Sequence, residues 1–264
     1  MSLEQIVNTS EYPVLDTGSG DYADLIESSR ESFSRSGVCL LHNFIAADSL
    51  RRMCDSAVDA IDNTFFCHSS HNAYLLPDDE NFDPAHPRRR QLRTDVGSIA
   101  YDCLDSNNDL VRLYQSDQMT RFIGEILGHA SFYPLGDPLG ALSINVFEPM
   151  GSHAWHFDES VFSVTLMLQA AESGGHFEYV PNLRSESENN YRGVGAVLDG
   201  DEADVQTLPL QPGTLSIFAG RYSMHRVTAV EGAAPRLVAV LCYANNPGVT
   251  NSPEVRKLFW GRSE

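Results

Sequence analysis

Basic side chains are scarce in this sequence: Lys and Arg number 18 against 36 Asp and Glu, a formal charge of −18. A surface that acidic repels phosphate backbones and anionic headgroups, so nucleic acid and membrane surfaces are excluded as partners. The one basic run, Arg88-Arg89-Arg90, is short and lies in an otherwise acidic stretch. It is expected to form local salt bridges or to gate a substrate. Cysteine is scarce too. The 5 residues Cys39, Cys54, Cys67, Cys103 and Cys242 are odd in number and show no Cys-x-x-Cys spacing. That excludes a disulfide framework and a thiolate zinc site, and leaves buried free thiols in a reducing compartment. No apolar run is long enough to span a bilayer. Met1 to Asp16 has neither a basic n-region nor an apolar h-region, so no secretory signal is expected. The expected location is the cytoplasm.

With 264 residues and 42% hydrophobic content, the chain can bury one substantial core. Asp21 is placed to cap a helix carrying Leu25, Ile26 and Phe33, with Gly37 as its stop. Val38 to Leu41 reads as a short strand. Asp48 is placed to cap a second helix with Leu50, Met53, Ala57, Val58 and Ile61 on one side. Periodicity vanishes over 64–95, which reads as a long lid or binding loop. His68, His71 and His86 there lack ligand spacing and read as solvated. Two short helices follow between Asp109 and Leu127.

From residue 130 the texture changes to short β runs punctuated by Gly151, Gly174-Gly175, Gly213 and Gly220. The insertion 182–203 holds one short helix near 189–198, and Ser252 is placed to cap a last helix ending near Trp260. No repeat, low-complexity tract or linker is visible. The fold class is therefore mainly β with α: one domain over 1–264, with a double-stranded β-helix (jelly-roll) core over 130–264. A helical N-terminal part over 1–129 braces that core.

The chemistry-bearing stretch is Trp155-His156-Phe157-Asp158-Glu159-Ser160. In extended backbone His156 and Asp158 point to the same face. An imidazole and a carboxylate on one face are two thirds of a mononuclear iron site. His225, in Met224-His225-Arg226-Val227, is the best candidate for the third ligand. Such a facial triad, expected at the mouth of a barrel, leaves positions open for a co-substrate and oxygen. The plain alternative is a polar strand end with a satisfied core histidine. Farther on, Arg236 enters the apolar strand Leu237 to Leu241. A buried guanidinium needs an anion. That anion is either a bound carboxylate or an ordinary Asp or Glu at a strand end.

Taken together, His156-x-Asp158, the distal His225 and Arg236 resemble the iron(II)/2-oxoglutarate-dependent oxygenases. The resemblance sharpens at Trp155-His156-Phe157-Asp158, Thr165-Leu166-Met167-Leu168-Gln169 and Gly174-Gly175-His176-Phe177-Glu178-Tyr179. It continues at Pro212-Gly213-Thr214-Leu215, His225-Arg226-Val227-Thr228 and Pro235-Arg236-Leu237. Over about residues 130–262 it points to the branch of the free-lysine radical halogenases and their hydroxylase and aziridine-forming relatives. It implies His156, Asp158 and His225 as ligands of iron(II) and as catalytic residues, and Arg236 as the clamp on the distal carboxylate of 2-oxoglutarate, with dioxygen as co-substrate.

Halogenases of that branch carry a small residue where Asp158 stands. The resemblance therefore implies hydroxylation of an unactivated C–H bond of a free amino acid or similar small molecule, with oxidative cyclisation (aziridine type) or desaturation as variants. In the wider family a Ser follows two residues after the Arg; here Val238 stands there. A second hydroxyl contact to 2-oxoglutarate must come from elsewhere, and Thr228 is the candidate. The resemblance further suggests Arg93 and His153 for the substrate carboxylate, Glu159 for a cationic group and Trp260 to close the pocket. The plain alternatives are a loop salt bridge, a strand-end His, a surface Glu and a packing Trp. Two rival readings remain: a non-catalytic metal-binding jelly-roll module, and a cupin-type metal enzyme without 2-oxoglutarate.

Overall fold

The computed structural model describes residues 2–264. The N-terminal arm leads into α1 (Gly20–Ser36), which Gly37 ends. Ser19, rather than Asp21, caps it: the Ser19 hydroxyl accepts the Tyr22 N–H at 3.1 Å, and Asp21 lies inside the first turn. β1 (Val38–Leu41) precedes α2 (Ala47–Asp59). Asp48 does not cap α2 either. The cap position is Ala46, and Asp48 sits one residue inside, where a carboxylate still favours the helix dipole.

β2 (Phe65–His71) and β3 (Leu92–Ile99) correct the expected loop over 64–95. They pair antiparallel from Phe65 opposite Ser98 to His71 opposite Leu92, so only 72–91 is loop. β2 is the edge strand of its sheet. An edge strand has no need of an apolar outward face, which is why its polar sequence hid it. In the Arg run, Arg89 forms the expected local pair with Asp78 at 3.0 Å, while Arg90 reaches the distant Asp199 at 2.6 Å.

Beyond α3 (Asp109–Tyr114) and α4 (Asp117–Leu127) the chain is mostly strand. In order come β4 (Tyr133–Pro134), β5 (Leu142–Phe147), β6 (His153–His156), β7 (Ser163–Gln169), β8 (Ser173–Gly174) and β9 (Phe177–Val180). After α5 (Tyr191–Leu198) follow β10 (Gln206–Leu208), β11 (Leu215–Phe218), β12 (Met224–Val227), β13 (Val230–Glu231), β14 (Arg236–Leu241) and β15 (Tyr243–Ala244). α6 (Pro253–Trp260) closes the chain, capped as expected by Ser252, whose hydroxyl accepts the Val255 N–H.

Two antiparallel sheets carry the architecture: a seven-stranded one in the order β1-β11-β7-β14-β5-β3-β2, and a four-stranded one in the order β10-β9-β12-β6. They face each other as a double sheet and do not close into a barrel, so the site lies between sheets rather than at a barrel mouth. Strand alternation sorts the large sheet's side chains. Ile144, Val146, Leu166, Ile217, Leu237 and Ala239 point away from the small sheet into the main core, where Met53, Leu113 and Phe122 of the helices meet them. Each Ile, Val or Leu among them, fully buried, contributes about 1.5–3 kcal/mol. The intervening residues Asn145, Thr165, Ser216, Arg236 and Val238 face the small sheet across a cavity. One set of strands thus builds a dry core on one face and a polar-lined space on the other.

Candidate metal centre

His156 ends β6 and His225 sits in β12, and the two are direct cross-strand partners in the small sheet. Asp158 lies two residues past the end of β6. There its N–H donates to the Gly220 carbonyl at 3.0 Å, while the Phe157 N–H donates to Ala73. This brings Asp158 Oδ1 to 3.5 Å from His156 Nε2 and 3.4 Å from His225 Nε2. The three ligand atoms lie within 4.8 Å of one another.

The tautomers follow from the backbone. His156 Nδ1 faces the Ala154 carbonyl at 2.8 Å and His225 Nδ1 faces the Ser223 carbonyl at 3.0 Å. A carbonyl only accepts, so both Nδ1 atoms carry the proton. Both Nε2 lone pairs then converge on a carboxylate oxygen. Burial, reinforced by His225, pushes the His156 imidazole down to about 4 against the pull of Asp158. Burial would raise Asp158, but the two facing imidazoles hold it well below the usual carboxylate range. At neutral pH His156 is neutral and the carboxylate ionised, so the cluster presents two imidazole nitrogens and a carboxylate oxygen within ligand reach of one point. That donor set fits a divalent transition metal with the other positions open.

The cavity beyond the triad measures about 160 Å³, similar to cavities of ~150 Å³ that admit a benzene-sized molecule. Arg236 lines it from β14, only 3% exposed. No carboxylate pairs with it among the described residues, and its Nε has no hydrogen-bond partner. Its guanidinium carbon stands 5.2 Å from the Phe147 ring centroid. Burial lowers it to about 10, so it remains a cation at neutral pH. Gly175 leaves room for it: a Cβ there would reach 3.0 Å from Arg236 Cδ. The ordinary strand-end ion pair is therefore absent, and a buried cation facing a cavity calls for an anion from outside.

A model of the halogenase D family matches residues 22–257. The chain belongs to the halogenase D family. No curated protein matches it. Among solved structures this halogenase D member is similar to the epimerase SnoN of nogalamycin biosynthesis, solved with Fe3+, alpha ketoglutarate and nogalamycin RO (14% identity, 84% of each chain, TM-score 0.59). It is also similar to a 2OG-Fe(II) oxygenase family oxidoreductase from Burkholderia pseudomallei (17% identity, 85% of this chain and 92% of that one, TM-score 0.53). A third is HygX from Streptomyces hygroscopicus, solved with nickel, 2-oxoglutarate and hygromycin B (11% identity, 84% of this chain and 88% of that one, TM-score 0.56). At these identities the likeness establishes the fold.

In this halogenase D member the other expected site residues divide. His153 lines the cavity and stacks on His156 with ring centroids 3.8 Å apart. Glu159 is exposed beside Asp158, and its carbonyl accepts from Arg221. Thr228 does not line the cavity; its hydroxyl accepts the His176 N–H at 2.9 Å, a strand-crossing bond that holds it aside. Arg93 has its side chain 75% exposed and forks onto Asp95 at 2.7 and 3.0 Å, the loop salt-bridge alternative. Trp260 packs α6 against Ala100 and Leu139, away from the cavity, so it does not close the pocket.

Three residues escaped the sequence reading. His71 is no solvated loop residue. Its Nε2 lies 2.7 Å from the Thr94 hydroxyl, and its ring stands edge-on to both His153 and His156. Thr94 in turn accepts the Ala154 N–H at 3.1 Å, which ties the hairpin to the metal strand. Ser163 donates to Asp158 Oδ2 at 2.5 Å. None carries a motif, because each acts through contacts that only strand pairing brings together.

Proposed function

We propose that this protein is an iron(II)- and 2-oxoglutarate-dependent oxygenase that hydroxylates an unactivated C–H bond of a free amino acid or similar small molecule. The observation that carries the reading is the convergence of two imidazole lone pairs and the Asp158 carboxylate in a cavity that also holds an unpaired Arg236. His156, Asp158 and His225 would hold the iron. Arg236 would hold the far carboxylate of 2-oxoglutarate, replacing the missing internal anion by a charge-assisted pair. SnoN and HygX were solved with 2-oxoglutarate and a metal, which supports carrying these ligands over to the same fold.

When bound, iron and 2-oxoglutarate supply the oxidising chemistry; the protein supplies position and dryness. The backbone carbonyls of Ala154 in β6 and of Ser223 just before β12 fix both imidazoles, so that Nε2 would face the metal. Phe177, Phe218, Val227 and Val238 wall the cavity and exclude water. His153, whose ring makes no hydrogen bond among the described residues, is free to meet a substrate carboxylate, and Glu159 stands beside Asp158 to meet a cationic group. Asp158 occupies the position that halogenases keep for a halide, which supports hydroxylation, or cyclisation or desaturation by the same machinery. A structural metal module has no use for a buried unpaired cation, so Arg236 favours the enzyme. The acidic surface suits no polyanionic partner, and no helix among the described residues is long and apolar enough to cross a membrane.

The test is anaerobic loading with iron(II), then 2-oxoglutarate and dioxygen, with succinate measured and free amino acids screened by mass. Succinate release with a gain of one oxygen on a substrate is the expected result. No succinate under any condition would overturn the assignment.

A further inference from the structure

We propose that Ser163 is a positioning residue of this centre: its hydroxyl holds the outer oxygen of Asp158, so that the carboxylate presents Oδ1 alone to the metal. The proposal rests on the metal-centre reading above. The Ser163 Oγ to Asp158 Oδ2 distance is 2.5 Å, within the range of a charge-assisted O–H···O⁻ bond. The other side of that oxygen is closed by backbone. A Cβ on Gly220 would fall 1.9 Å from Asp158 Oδ2, and the Gly220 carbonyl holds the Asp158 N–H. Oδ2 is thus clamped between a hydroxyl and a glycine, while Oδ1 faces both Nε2 atoms.

The clamp matters because a carboxylate turns easily about its last torsion. A carboxylate free to turn reaches the metal through both oxygens and fills a position that a co-substrate needs. Strand pairing builds the device. Ser163 opens β7 opposite Phe218, the last residue of β11, and Gly220 follows two residues later. Both halves of the clamp therefore sit on one strand pair of the large sheet, while the histidines belong to the small sheet. Ser163 has one proton to give and gives it to Asp158, so its effect on the metal runs through the ligand.

Cobalt(II) alone is the probe, titrated anaerobically into metal-free wild type, Ser163→Ala and Ser163→Thr, with visible absorption recorded and Tm measured on the metal-free proteins. Ser163→Ala is expected to lose roughly 10- to 100-fold in cobalt affinity, the range for losing a hydrogen bond to a metal ligand. Its d–d absorption should weaken as the second carboxylate oxygen joins the metal. Ser163→Thr, which keeps the hydroxyl, should restore both, and the metal-free Tm should fall in Ser163→Ala alone, by the loss of one charge-assisted hydrogen bond. Should Ser163→Ala not fold, Ser163→Cys keeps the size, offers a weaker donor and carries the same comparison. Wild-type affinity and spectrum in the variant lacking the hydroxyl would overturn the proposal, as would failure of Thr to restore them. His156→Ala separates the two readings: cobalt bound by it as tightly as by wild type would overturn the metal centre itself.

Discussion

Asp158 is held by its own N–H on Gly220, by the Ser163 hydroxyl and by the field of two imidazoles. Removing only this side chain leaves both histidines in place and opens room beside the metal with a deficit of negative charge. Asp158→Gly is therefore expected to keep some iron and to bind azide or chloride, seen as a spectral change on titrating the iron(II)–2-oxoglutarate complex. Equal responses in mutant and wild type would rule out Asp158 as the exchangeable ligand. Arg236 gives a second, opposite expectation. It is buried without a partner, so the ligand-free fold carries its desolvation cost. Arg236→Met should stabilise the ligand-free protein, by on the order of 1–4 kcal/mol in denaturant. It should also weaken 2-oxoglutarate on the order of 10²-fold. A loss of stability would mean that the guanidinium has an anion within the protein.

His156 sets a pH dependence. Its folded value of about 4 lies below the ordinary 6.5, so the unfolded chain binds more protons between those values. Stability of the metal-free protein is fully present above about pH 6.5 and falls as pH drops toward 4, by about 3 kcal/mol for this residue. Melting curves of wild type and His156→Asn across that window check it; parallel curves would refute it.

At the scale of the element, α6 is latched rather than merely packed. Asp137, with no side-chain exposure, accepts N–H groups of Leu139, Gly140 and Asn251 and the Arg256 Nε at 2.9 Å. Arg256 lies inside α6, so one carboxylate ties the approach to β5 to the last helix. Asp137→Ala leaves the largely buried Arg256 guanidinium without an anion, keeping only its bond to the Ser263 carbonyl, and leaves three N–H groups without that acceptor. It should cost about 3–5 kcal/mol, with hydrogen exchange rising first in α6. Cavity contents should be unaffected, because Trp260 faces Ala100 and Leu139 instead. Changed 2-oxoglutarate affinity in this variant would place α6 at the site after all.

For the molecule as a whole, the charge of −18 is spread over one fold with few cations to offset it. Self-repulsion of that kind opposes compaction and is screened by salt. The screening length falls from about 30 Å at 0.01 M to about 10 Å at 0.1 M. Tm should therefore rise with sodium chloride over that range, and a Tm that falls instead would show that attractive surface pairs such as Arg262 with Asp102 dominate.

The sequence by itself determined the residues of the metal cluster, because His156-x-Asp158 sets an imidazole and a carboxylate two apart in extended backbone, an extension that the Gly220 carbonyl carries past the end of β6. It also determined the β texture after residue 130, the apolar strand Leu237 to Leu241, and the need of Arg236 for an anion. Tertiary structure alone decided the rest. β2 was hidden because an edge strand tolerates polar residues on its open face. Ser19 displaced Asp21 as cap because capping depends on which backbone N–H a side chain reaches, and α2 starts after Ala46 with no side-chain cap at all. Thr228 and Trp260 were drawn away from the cavity by partners far off in the chain, and Arg93 by Asp95 two residues on. His71, Thr94 and Ser163 were drawn to the site by strand pairing. A ligand motif is local and can be read along the chain; the groups that orient it are set by register across sheets, which no local pattern records.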